Sequence, residues 1–275
     1  MRLSLNFNTH MNPGNCLNCG NSLLQGQKYC PQCGQKADTH RISLHEIMHD
    51  ALHYITHADK GIFHLIKQLA KRPGIVAREY IDGRRKTYFK PLNFLLIVAG
   101  IVVFMTNALH KDYPRPTSSR STTQAERPAP PTAAQLAMYE RAQKASKFTS
   151  KYSNVINLLA TPVFAAFIWL FYYRGRYNYI EHLVANMYFV PFIMLAYAFI
   201  VVPVHWFTSS YSMFMAVLYA FFAFEIIYRG LAYYQFMGKK GAWPLIKALG
   251  VSAIASGVWI TFTSGLIRYY IRHGF

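Results

Sequence analysis

Acidic residues are scarce in this chain: 11 Asp and Glu stand against 29 Lys and Arg, for a formal net charge of +18. Charge of either sign is also thin, at 15% of residues against about 25% in ordinary soluble domains. With 53% hydrophobic and 16% aromatic residues, this balance excludes a conventional soluble domain. Cysteine is limited to four residues, all within the segment CLNCGNSLLQGQKYCPQCGQ. The opening stretch MRLSLNFNTHMNPGN has no apolar core and no small-residue cleavage site of a secretory signal, so the first membrane helix is expected to serve as internal signal. No internal repeat is visible.

The apolar residues that are present fall in continuous runs, and all of these begin after Pro91. They cover residues 92–109, 153–173, 183–204, 211–234 and 245–267, each close to the length that crosses a hydrocarbon core of roughly 30 Å. The expected fold is therefore an all-α polytopic membrane bundle of about five transmembrane helices, with a small N-terminal zinc ribbon and a cytoplasmic amphipathic helix. The expected segments are a ribbon over 1–40, an amphipathic helix and basic neck over 41–91, a first span over 92–109, an extracytoplasmic loop over 110–152, and a four-helix region over 153–275. Lys and Arg number 19 on the side of the amino-terminal head and 10 on the other. The positive-inside rule then puts the head in the cytoplasm of a bacterial inner membrane and the carboxyl terminus outside. Within the long loop, residues 113–132 mix Pro, Ser, Thr and Arg without apolar periodicity and are expected to be disordered, with a short surface helix following from Ala133.

Cys16, Cys19, Cys30 and Cys33 form two Cys-x-x-Cys pairs, each followed by a glycine, Gly20 or Gly34. Four thiolates at this spacing suit tetrahedral Zn²⁺, a structural ion in a closed site with no position for substrate or water. Two disulfides or a redox pair are the alternatives. The first needs an oxidising compartment and the second leaves one pair unexplained. Only Lys28 and Lys36 are basic inside the ribbon, so nucleic acid is not an expected partner.

After Ser43, apolar residues including Leu44, Ile47, Ile62, Ile66 and Leu69 recur at three- and four-residue spacing up to Pro73 and Gly74, the pattern of an amphipathic helix bent near Gly61. It carries a literal His-Glu-x-x-His at His45, Glu46 and His49, the arrangement in which two imidazoles bind zinc and a glutamate acts as general base. Ser43 and Glu46 also read as a capping box, which explains the glutamate structurally. His53 and His57 continue the stripe, but a four-residue step drifts about 40° on a 3.6-residue helix, so the four imidazoles do not converge on one ion.

The neck is dense in cations. Arg84, Arg85, Lys86 and Lys90 precede Pro91 and are candidates for contact with anionic lipid headgroups. The elements CPQCGQK, His57–Phe63, Arg72-Pro73-Gly74, Glu79–Arg85 and Tyr88-Phe89-Lys90-Pro91 together resemble an uncharacterised bacterial family of zinc-ribbon multi-pass membrane proteins, a domain of unknown function. The likeness covers roughly residues 16–104, implies architecture and supplies no reaction. The family's pattern does not include the His-Glu-x-x-His.

In the fourth run, Glu225 lies one turn before Arg229, a candidate intramembrane polar site or a local ion pair. Ala248, Ser252 and Ser256 form a small-residue stripe suited to close helix packing. The functional expectation is an integral membrane scaffold or sensor without intrinsic catalysis, recruiting a cytoplasmic protein partner. A transporter-like bundle using Glu225 and a metallopeptidase using His45, Glu46 and His49 are the alternatives.

Overall fold

The computed structural model describes residues 14–39, 41–45, 47, 61–108, 132–208 and 210–274. Glu46, His49, His53, His57 and residues 113–131 of the segment expected to be disordered lie outside the described residues.

Helix α1 (Gly61–Lys71) buries Leu65 and Leu69 on one face, as its periodicity dictates. It stops where Arg72 precedes Pro73, a position that disfavours helical backbone. Pro73 then opens α2 (Pro73–Ile81), its missing N–H falling where a helix start needs none. Val76 and Ala77 of α2 are fully buried. The segment that follows the amphipathic helix packs into the bundle here. A Cβ on Gly74 would sit 2.0 Å from the Ala232 carbonyl oxygen and 2.4 Å from the Phe236 nitrogen, so only glycine lets the two backbones meet.

Helix α3 (Pro91–Ala108) presents Phe94, Leu95, Val98 and Val102 to the core. It packs on α5 (Tyr179–Ala196), the central helix, nearly all of whose residues are buried. Asn178 starts α5 through a capping box: its side chain accepts from the Glu181 N–H at 2.9 Å while Glu181 accepts from the Asn178 N–H at 2.7 Å. Helix α5 runs through a π-turn at Tyr197–Val201 into α6 (Val202–Phe207). Pro203 has no N–H to offer the ladder, which accounts for the wider turn just before it. Ser210 caps α7 (Tyr211–Met237), which ends on Gly238 in the left-handed conformation. Gly241 leads into α8 (Ala242–His273).

The separate surface helix and second span expected after Ala133 are one continuous 40-residue helix, α4 (Ala133–Tyr172). No glycine or proline interrupts it before Pro162, and the polar half is made of good helix formers. Among the described residues, three helical stretches are long and apolar enough to cross a membrane: Tyr179–Phe207, Ser212–Met237 and Ala242–His273. Pro91–Thr106 and Leu158–Tyr172 are shorter apolar helices, where the five-span count placed crossings. Among the described residues there is no strand, only isolated bridges Asn15–Ser22 and Tyr29–Lys36 in the ribbon.

One end of the bundle collects the ribbon, the neck and two turns. Arg176 donates to Asp82 at 2.9 Å, Arg41 grips Glu181, and Gly238 lies against the Arg78 guanidinium. At the other end Arg141 of α4 donates to the Arg272 carbonyl of α8 at 3.1 Å.

Candidate metal centre

Each Cys-x-x-Cys pair folds into a knuckle closed by its glycine. The Gly20 N–H donates to the Cys16 carbonyl at 2.8 Å and the Gly34 N–H to the Cys30 carbonyl at 2.9 Å. Both glycines have positive φ, +78° and +68°, which a side chain would strain. The turns bring all four Sγ atoms within 4.8 Å of one another. Cys16 to Cys33 and Cys19 to Cys30 are both 3.6 Å apart, far beyond the roughly 2.05 Å of a disulfide. A tetrahedron with metal–sulfur bonds of about 2.3 Å has edges of about 3.8 Å, so the cluster has the dimensions of a four-thiolate metal site. The Cys30 thiol is pulled down to about 6, first by the Cys33 backbone N–H and also by that of Gln32, while Cys19, against the pull of the Asn21 backbone N–H, is pushed up to about 12 by burial and by its neighbouring thiols. Four cysteines close together can therefore hold one metal ion.

The ribbon is not an independent head. Gln35, 3% exposed, donates its Nε2 to the Gly83 carbonyl at 2.8 Å. Its Oε1 accepts from the Arg85 N–H at 3.1 Å and the Lys86 N–H at 3.3 Å. At the other knuckle Asn18 Oδ1 accepts from the Thr87 N–H and hydroxyl at 3.1 and 2.8 Å. Gly83 sits at φ +113°, which strains any side chain, with Leu17 Cδ1 2.8 Å from where a Cβ would lie. The two knuckles thus clamp residues 83–87, the loop joining α2 to the apolar helix α3. Arg41, just beyond the ribbon, makes a bidentate pair with Glu181, both bonds at 2.8 Å.

The candidate headgroup cations divide. Arg84 faces Glu79 at 3.5 Å, as does Arg72 at 3.6 Å, and Glu79 also accepts from the Tyr88 hydroxyl. Lys86 is exposed. Arg85 and Lys90 line a small cavity with Ile42, Ile47, Leu92 and Asn93.

Glu225 and Arg229 form the intrahelical ion pair that their spacing allows. The Arg229 side chain is buried, its guanidinium carbon 4.3 Å from the Phe164 ring centre. One turn further along α7, Tyr233 bonds to Asn186, and its ring stacks near His182. His182 stands just before the apolar run 183–204 and Asn186 within it, uncharged polar residues at four-residue spacing. Nothing local to Glu181 pointed to Arg41, 140 residues away. The roles of Asn18 and Gln35 had no sequence signal, because their partners are 48 to 69 residues away. Of the His-Glu-x-x-His, only His45 is among the described residues.

The fold and site together define, among the described residues, a helical, membrane-type protein with a four-cysteine cluster that could hold a metal ion docked at one end. A family model described as "Protein of unknown function (DUF3667)" matches residues 59–103, the neck and first apolar helix. No curated protein and no solved structure matches the chain.

Proposed function

We propose that this is a bacterial inner-membrane protein of five helical crossings, with the ribbon, the neck and the turns at Arg176 and Lys239 in the cytoplasm and the carboxyl terminus outside. In it a structural zinc ion holds the ribbon, which recruits or senses a cytoplasmic protein partner without catalysis. Sidedness is supported by the gathering of the basic turns at one end of the bundle, as the positive-inside rule favours. The observation that carries the functional reading is the clamp: a closed thiolate set holds both knuckles on the 83–87 loop and still leaves Leu24 74% and Tyr29 61% exposed. Exposed apolar side chains on a rigid module suit protein recognition, while a saturated tetrahedral site has no open coordination position for chemistry.

The test is site-specific photocrosslinking from position 24 or 29 in intact membranes. A discrete adduct is expected, and it should disappear in Cys16→Ser. No adduct from protein that retains one zinc per chain would refute recruitment by the ribbon.

Transport through the bundle is the second reading, favoured by the buried Arg229 beside Glu225, since an ionisable group in a span usually has a use. Ion flux into proteoliposomes that Glu225→Gln abolishes would displace the scaffold. Peptidase chemistry at His45, Glu46 and His49 requires a second metal: zinc that persists after the ribbon cysteines are replaced, together with inactivation by Glu46→Gln, would support it.

A further inference from the structure

Seven side-chain atoms on α5, α7 and α8 are buried in the bundle with no hydrogen-bond partner among the described residues. They are both ring nitrogens of His182, Oδ1 of Asn186, Nε and Nη1 of Arg229, and the hydroxyls of Ser252 and Ser256. Each of these residues is at most 3% exposed. A buried polar group left unbonded carries a desolvation penalty above the net worth of an ordinary hydrogen bond, and the narrow margin of a folded chain does not sustain seven of them. The atoms are mixed in kind. Arg229 only donates, Asn186 Oδ1 only accepts, and a neutral imidazole or a hydroxyl does both. A cation would satisfy the acceptors alone and an anion the donors alone, whereas water serves both.

The residues form a ladder that starts at the ribbon end. His182 stacks beside Tyr172 and Tyr233, at 6.3 and 5.8 Å, and Asn186, one turn on, donates to the Tyr233 hydroxyl. The exposed Lys247 holds its ammonium 4.7 Å from the Tyr172 ring centre, which links this group to the surface. Along α7, Tyr233, Arg229 and Glu225 follow at one-turn steps, about 8, 14 and 20 Å from the Gly238 turn, inside a hydrocarbon core of roughly 30 Å. Gly230 lies against Leu249, and α7 and α8 run antiparallel from that turn, so Ser252 and Ser256 fall at the levels of residues 227 and 223, either side of Glu225. A step of about 6 Å is what one water spans with two bonds of about 2.8 Å. Beyond this stretch the ladder stops. Between Tyr211 and Phe224 α7 has no charged residue, and the hydroxyls of Thr261, Thr263 and Ser264 bond carbonyls of α8 itself.

We propose that the bundle interior binds a string of ordered water molecules from His182 to the Glu225–Arg229 pair, a one-sided route by which water reaches that pair from the ribbon end. An intramembrane carboxylate reached in this way is accessible to protons from one side only. The route rests on the membrane placement of α7; recruitment of a partner by the ribbon does not affect it.

The test is radiolytic hydroxyl-radical labelling of the full-length protein in lipid nanodiscs, in heavy-oxygen water, where ring oxidation reports a water in contact with the side chain. Tyr233 and Phe164 are both buried, the latter 4.3 Å from the Arg229 guanidinium carbon. Both are expected to take up heavy oxygen, as the exposed Tyr29 does. Tyr188, equally buried but with its hydroxyl bonded to the Phe89 carbonyl, is expected to stay unlabelled. Silence at either Tyr233 or Phe164 would overturn the route. Labelling of Tyr188 as strong as theirs would trace the signal to general opening of the bundle and overturn it too. His182→Phe keeps a ring of similar size without nitrogens and should abolish labelling at Phe164; label that persists there would put the entry of water elsewhere and refute the one-sided route. Ser252→Ala with Ser256→Ala, mild changes within a helix, tests the deep end even where the histidine variant fails to fold. Phe164 should then lose its label while Tyr233 keeps it, and an unchanged Phe164 would overturn the site. Ion flux bears on transport alone, whereas labelling reads the water itself.

Discussion

Replacing Gln35 with alanine tests whether the ribbon is latched to the neck. Gln35 makes three hydrogen bonds to the 83–87 loop, one from Nε2 to the Gly83 carbonyl and two shared by Oε1. At about 1 kcal/mol net for the unshared bond and about 1 for the shared pair, the latch is worth about 2 kcal/mol. That is roughly a thirtyfold change in the equilibrium between docked and released ribbon, at tenfold per 1.4 kcal/mol. Arg84, Arg85 and Lys86 lie in the clamped loop, so trypsin reads release directly. Where docking is fast relative to cleavage, the cut rate follows the released population. Gln35→Ala is therefore expected to raise cleavage at residues 84–86 about thirtyfold. Metal content should be unchanged, because the Cys30 N–H bonds the residue-35 backbone carbonyl rather than its side chain. A rise below about threefold, under 1 kcal/mol, with metal retained would refute the latch.

Stripping metal from the four-cysteine site with a strong chelator should raise cleavage at the same sites in the wild type and add nothing further in Cys16→Ser, as followed by metal content and fragment mass. Gly74→Ala should lower the thermal midpoint in detergent by the equivalent of about 3 kcal/mol, the upper end of overpacking costs, because its Cβ meets α7 backbone atoms that have no rotamer to escape into. An unchanged midpoint would mean that α2 does not contact α7 there. Glu225→Gln should cost about 1–3 kcal/mol by the same assay, at or below the usual cost of breaking a buried pair because the Glu225 side chain is 21% exposed. The Tyr88 hydroxyl is raised from 10.0 to about 12, first by burial and then by its bond to Glu79. A raised folded value means its stabilisation is complete below pH 10 and is lost as pH climbs through about 12. Tyr88→Phe should accordingly flatten part of the alkaline loss of stability across that window, measured by thermal midpoint against pH.

The features the sequence determined by itself are those whose physics is local. Cys16 to Cys33 announce a metal cluster because ligand spacing and the following glycines build each knuckle within five residues. The Glu225–Arg229 pair follows from helical spacing. Four of the five apolar runs lie close to the bounds of their helices, since burial of backbone in lipid depends on length and composition, whereas the run 153–173 is only the apolar end of α4, which begins at Ala133. Only the tertiary structure decided where the amphipathic segment goes. Gly74 reads in the sequence as part of a helix stop after Pro73, yet in the fold it is the contact point that admits α2 against α7. The loop charges of Arg84 to Lys90 looked alike along the chain, and only their neighbours separate them: Glu79 for Arg84, solvent for Lys86, and the cavity for Arg85 and Lys90. The same holds for Asn18 and Gln35, which are ordinary polar residues until the chain returns to place the 83–87 backbone beside them. Hydrogen bonds formed across such separations leave no periodicity, so they come into being with the fold rather than with the sequence.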